Sequence, residues 1–107
     1  MLKPGDVVLT KMQFVDTNEI KTRPALVLFQ QYGNVVVAGI TSNQKMQGIL
    51  LSRKEGAIKD SVIKLNYLFT ITQEMVPKVL FHLSKEKKQI VFEEFVKLLD
   101  QLKKTTE

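Results

Sequence analysis

The chain has 107 residues, 44% of them hydrophobic, no cysteine, and a formal net charge of +5. That length makes one domain, 1–107, able to bury a core without staples, and the lack of cysteine excludes disulfides, thiol nucleophiles and thiolate metal sites. The excess charge lies on the body, with +4 on residues 1–83 against +1 on 84–107, a field that suits a polyanion such as RNA, DNA or an acidic protein, or simply solubility.

The opening MLKPGD carries no apolar run fit for a signal peptide. The longest uninterrupted apolar run, ALVLF at 25–29, falls far short of the roughly 20 residues that span a bilayer. A soluble, cytoplasmic protein with no membrane segment is expected.

The first half reads as strands. DVVLT (6–10) is short, β-branched and preceded by the breaker pair Pro4-Gly5. After it comes a polar stretch without clean periodicity, KMQFVDTNEIKT (11–22), long enough for a functional loop. PALVLFQ (24–30) is an apolar run of strand length, and Pro24 is tolerated at its first position because no ladder donor is lost there. A tight turn through Tyr32, Gly33 and Asn34 leads to NVVVAGI (34–40), so the two runs form a hairpin candidate. Three consecutive valines predict burial on both faces. TSNQKMQG (41–48) is a second polar loop, KEGAIKD (54–60) a turn, and ILLS (49–52), SVIKLN (61–66) and LFTIT (68–72) further short strands. KVLFHLS (78–84) fits a last strand or a short helix.

From Ser84 the pattern changes. Val91, Phe95, Leu98 and Leu102 fall at i, i+4, i+7 and i+11, one stripe of a helix. Ser84 is a candidate N-cap, and Lys103 and Lys104 suit the negative end of the helix dipole. The fold class is mainly β with a C-terminal α-helix. A small barrel is the natural way to hide the edges of six or seven short strands.

The single histidine, His82, sits in an apolar segment and reads as structural. Glu93 and Glu94 read as solvated acids on the polar side of the helix. No His, Asp and Glu cluster has metal-ligand spacing, and no Gly-rich phosphate loop is present, so no metal and no cofactor is expected. What remains is Arg23 at the start of one strand and Thr41-Ser42 at the end of the next. Counting seven steps from Gln30 back to Arg23, and seven from Asn34 on to Thr41, sets the two side by side, about 23 Å from the turn. A guanidinium facing hydroxyls can cradle a phosphate. The same residues also fit an Arg snorkelling at a strand end and a Thr-Ser that begins a turn.

GDVVL, a polar loop, RPALVL, VVVAGITS and DSVIKL, in this order and spacing, resemble the MazF/PemK/Kid family of toxin–antitoxin ribonucleases. The similarity runs on through ITQEMVPKVLFHLS to the terminal helix. The resemblance implies a small SH3-like barrel (CcdB/MazF/PemK-like), a homodimer, a cognate antitoxin partner, and metal-independent cleavage of single-stranded RNA. The RNA's own 2′-OH would attack the neighbouring phosphorus, leaving a 2′,3′-cyclic phosphate and a 5′-OH. It also implies Arg23 and Thr41 as catalytic residues.

Substrate contacts are then expected from Gln13, Phe14, Asp16 and Lys21 in the first loop, with Ser42 and Lys45 in the second. Phe14 is a candidate for stacking on a splayed base; it equally fits a plug in the barrel mouth. Asp60-Ser61 resembles the family's D-S pair before a strand, with Ser61 expected to start that strand in a structural role. The chain departs from the pattern further on. Asn66, Phe69 and Thr70 stand where many relatives carry an acidic residue and an arginine, so a second basic phosphate contact is expected to be missing. A non-catalytic module on the same barrel, either a CcdB-like gyrase-binding toxin or an RNA-binding protein, is the alternative function.

Overall fold

The computed structural model describes residues 2–13, 20–43 and 45–104. Six strands precede one helix: β1 (Asp6–Gln13), β2 (Ile20–Gln31), β3 (Asn34–Thr41), β4 (Ile49–Leu51), β5 (Ser61–Ile71), β6 (Lys78–His82) and α1 (Lys85–Lys104). Single 3₁₀ turns sit at Arg53–Glu55 and Gln73–Met75. The strands form one antiparallel sheet in the order β4-β5-β3-β2-β1-β6. β4 and β6 end that order, so the sheet is a half-barrel.

Successive side chains alternate between the faces of a sheet, and this sheet buries both. Val7, Leu26, Ala38, Ile40, Ile63 and Leu65 pack on one face with Leu83 and Val91. Leu2, Val8, Ala25, Val27, Val35, Val37 and Ile71 pack on the other. This is why β2 and β3 read as continuous apolar runs and not as alternating ones.

The β2–β3 hairpin turns on two residues, Tyr32 (φ 53) and Gly33 (φ 80), instead of the three expected from the sequence. Positive φ at both positions is the signature of a turn whose twist matches the strands. Tyr32 holds this conformation at the surface, 91% exposed. The register then shifts between Val27 and Phe29, leaving Leu28 as an extra residue on β2.

The two segments read as separate strands at 61–66 and 68–72 are one strand, β5. The break seen in the sequence is a register shift. Ala38 pairs with Leu68, while the next residue, Gly39, pairs with Lys64, so residues 65–67 are looped out of the ladder.

Ser84 caps α1 as expected, its Oγ accepting the Lys87 N–H at 3.1 Å. Two lysines anchor the first turn. Lys87 Nζ donates to the Leu50 carbonyl at 2.8 Å and pairs with Glu55 at 3.2 Å, and Lys88 Nζ lies 3.0 Å from His82 Nε2. The predicted stripe packs only in part. Val91 is buried and Phe95 packs against the same cluster, but Leu98 and Leu102 are 43% and 77% exposed. A helix of this length runs about 30 Å and outreaches the sheet beneath its first half. Among the described residues, no helix is long and apolar enough to cross a membrane.

His82 is structural, as its apolar setting suggested. Its Nδ1–H donates to Asp6 Oδ1 at 2.8 Å, and Nε2 then faces the Lys88 ammonium as an acceptor. Asp6 Oδ2 also accepts the Lys3 N–H at 2.8 Å. Burial works against the Asp6 carboxylate, but the bonds from His82 and Lys3 outweigh it and hold the pKa below the usual value.

A carboxyl that is more acidic folded than unfolded stabilises the fold above its unfolded pKa, and that stabilisation is lost as pH falls through the folded value. Asp6→Asn should therefore cost about 2 kcal/mol at neutral pH. The gap from the native chain should narrow below about pH 4. Denaturant titrations of both chains at the two pH values would check this.

Candidate functional site

Arg23 belongs to β2, where its ladder partner is Thr10 of β1; Thr41 ends β3, opposite Val62 of β5. The β2–β3 ladder stops at Ala25–Gly39, next to Pro24, which has no N–H to give. Continuing that register by two residues sets Arg23 opposite Thr41, as the count along the sequence suggested. Arg23 shares its face with Ala25, and Thr41 shares its face with Gly39, so both point to the same side of the sheet.

A cavity of about 470 Å³ opens at this end of the sheet, and both residues line it. Ser42, Ser61 and Lys59 add polar groups; Pro24, Ile58, Leu80, Phe81, Tyr67 and Phe69 supply much of the apolar wall. Arg23 and Lys59 are exposed cations. Among the described lining residues there is no carboxylate and no imidazole. The lowered carboxylates lie elsewhere. Glu55 is held down by the Ser52 N–H and by Lys87 despite its burial, and Glu74 by its own backbone N–H and the Thr72 hydroxyl.

The loop after β3 is wound onto the site. Thr41 Oγ1 accepts the Asn43 N–H at 3.1 Å, and Asn43 Oδ1 accepts the Lys45 N–H at 3.1 Å. A hydroxyl whose oxygen accepts from the backbone can still turn its own O–H outward as a donor. From β5, the Lys64 ammonium donates to the Gln47 carbonyl and holds the far side of this loop. Across the β1–β2 ladder from Arg23, Thr10 is fully buried and its hydroxyl donates to the Met75 carbonyl at 3.3 Å.

The structure thus brings Arg23, Thr41 and Ser42 together. Lys21 and Lys45 are exposed and stand outside the cavity lining. Gln13 ends β1 opposite Ile20; Phe14 and Asp16 lie outside the described residues. Ser61 starts β5, as expected of it, with its Oγ donating to the Lys59 carbonyl at 2.7 Å, and Asp60 Oδ1 accepts the Arg53 N–H at 2.9 Å.

Lys59, Tyr67 and Phe69 line the cavity without having been site candidates from the sequence. Lys59 places a second cation in the cavity lining, from a segment ahead of β5 and not from positions 66–70, where the second basic contact is missing. Tyr67 and Phe69 line the same cavity. Their i, i+2 spacing in NYLFT was the available signal, but the looped-out residues that set their orientation leave no pattern in the sequence. Chemically, the arrangement is a set of cationic and hydroxyl donors of the kind that can receive an anion. It offers a forked guanidinium, an ammonium and hydroxyl donors, backed by an apolar wall.

Comparison with known proteins bears on the family and the fold. The profile of the PemK-like, MazF-like toxin of type II toxin–antitoxin systems matches residues 3–99. No curated protein matches the chain by sequence. Among solved structures, an endoribonuclease in complex with its cognate antitoxin, from Mycobacterial species, superposes with a TM-score of 0.68 at 10% identity, covering 92% of each chain. At that identity the likeness speaks for the fold. The profile match extends from the first strand into the terminal helix, and on it the chain belongs to the PemK-like, MazF-like toxins of type II toxin–antitoxin systems.

Proposed function

We propose that the chain is the toxin of such a pair and a metal-independent endoribonuclease acting on single-stranded RNA in the cytoplasm. The observation that carries this reading is the meeting of Arg23 and Thr41, from different strands, in one open cavity. The 2′-oxygen of the RNA attacks the adjacent phosphorus and loses its proton. The P–O5′ bond breaks, and the departing oxygen takes up a proton, leaving a 2′,3′-cyclic phosphate and a 5′-OH. No protein nucleophile is needed, which suits a lining without cysteine, histidine or acid among its described residues. What the reaction needs is donors for the charge that grows on the phosphoryl oxygens. Arg23 supplies two from its fork and Thr41 supplies one.

The positive cavity suits an antitoxin whose acidic, extended segment covers it. A homodimer is part of the proposal. Phe92, Val96, Leu99 and Leu102 leave an apolar strip exposed on α1, and such strips mark contact surfaces.

The test is to incubate long single-stranded RNA with the chain in EDTA and map the ends. Discrete cuts bearing 5′-hydroxyls support the reading. Intact RNA with retained binding in a gel shift replaces it with the non-catalytic module. Lys59 gives a separate check. In Lys59→Ala, the slope of log affinity against log salt for uncleavable RNA should fall by about 0.7, as read by binding titrations across a salt series.

A further inference from the structure

Tyr67 and Phe69 are water-exposed aromatics inside the candidate site, 43% and 42% exposed. Both line the cavity that holds Arg23 and Thr41. They sit two residues apart on β5, at the point where residues 65–67 leave the ladder. The floor beneath them is Gly39. A Cβ there would stand in ordinary contact, 3.4 Å from Tyr67 Cβ and 3.5 Å from Phe69 Cε2, so both side chains lie directly over β3. The Tyr67 ring is held on one side by the Lys64 ammonium, 5.3 Å from the ring centre, within the range of a cation–π contact. Lys64 is itself buried at 9% exposure and tethered to the Gln47 carbonyl. The ring is therefore oriented from behind by a fixed group.

We propose that Tyr67 and Phe69 form a stacking platform that seats a base of single-stranded RNA beside the phosphate held at Arg23 and Thr41. This rests on the ribonuclease reading. A single strand carries anionic phosphates and flat apolar bases, and the cavity offers partners for both, with cations at Arg23 and Lys59 and exposed rings at Tyr67 and Phe69. Aromatic stacking tolerates any base because each has a π-face, so the platform sets position and affinity, while base identity is read elsewhere.

The composition supplies the test. There is no tryptophan, and the two tyrosines are Tyr32 and Tyr67. Tyr32→Phe makes Tyr67 the sole emitter. Saturating this variant with a short single-stranded RNA, 2′-O-methylated so that it cannot be cut, should quench its fluorescence. Phe69→Leu, at a half-exposed position, should weaken binding of the same RNA about tenfold. An abasic nucleotide at one position beside the cut should cost the native chain a similar factor and the Phe69→Leu chain little.

Unchanged Tyr67 emission at saturation, or unchanged affinity in Phe69→Leu, overturns the proposal. Quenching by a co-expressed antitoxin but not by RNA also overturns it, assigning the rings to a protein partner. The two readings fail separately. RNA that is cut without quenching removes the platform and leaves the nuclease. RNA that is bound with quenching but never cut removes the nuclease and leaves the platform.

Discussion

Arg23→Ala should cut single-stranded RNA about 10²–10³-fold more slowly than the native chain in EDTA, the loss found when one preorganised donor to a developing oxyanion is removed. The estimate rests on position. Arg23 is held in the ladder with β1, two residues past the last β2–β3 pair, and its partner there is the buried, hydrogen-bonded Thr10. The guanidinium is thus presented from a rigid base, and donors fixed before reaction need no reorganisation when charge appears. Arg23→Lys keeps the charge but not the planar fork, so it should restore only part of the rate. Thr41→Val keeps the shape and removes the hydroxyl, and should fall between the native chain and Arg23→Ala. Single-turnover rates on one RNA at fixed salt would order the four proteins. An undiminished rate in Arg23→Ala would move the site elsewhere, even if the activity itself stands.

The largest stability effect is expected from Leu26→Ala. Leu26 is 1% exposed and lies at the centre of the sheet, paired with Val7 of β1 and Ala38 of β3. Its side chain belongs to the cluster that also takes in Val91 of α1. A groove of about 280 Å³ between β2 and α1 already borders it. Truncation would enlarge that space where a three-strand sheet centre cannot collapse to fill it. The expected cost is about 3–4 kcal/mol, or on the order of 15 °C in thermal midpoint for a chain of this size. Scanning calorimetry of the two proteins would check it. A shift of only a degree or two would mean that α1 closes down onto the gap.

Much of this arrangement could be read along the chain. The hydrophobic runs of β2 and β3 announced burial on both faces, and Ser84 announced the start of α1. The juxtaposition of Arg23 and Thr41 was also legible, but through two errors that cancel. The count assumed a three-residue turn, whereas the turn takes two residues and the missing one reappears as the extra residue at Leu28. Nothing in ALVLFQQ marks a bulge, because an extra apolar residue does not break a strand that is apolar on both sides.

The same blindness split β5 in two. Asn66 looks like a terminator, yet it lies within a looped-out segment of one strand. The helix stripe was right in period and wrong in extent, since periodicity shows which face is apolar but not how far the sheet beneath it reaches. Lys59 and Tyr67 escaped because they enter the cavity from segments distant in sequence from Arg23 and Thr41, brought there only by the sheet order.

The paired irregularity in the β2–β3 hairpin has a consequence for how such chains can diverge. Tip and kink behave as a slack adjuster: a residue dropped at Tyr32-Gly33 is taken up at Leu28, and the far ends of both ribbons keep their alignment. Tip length can therefore drift among relatives without pulling the guanidinium out of step with the threonine, provided the kink drifts with it.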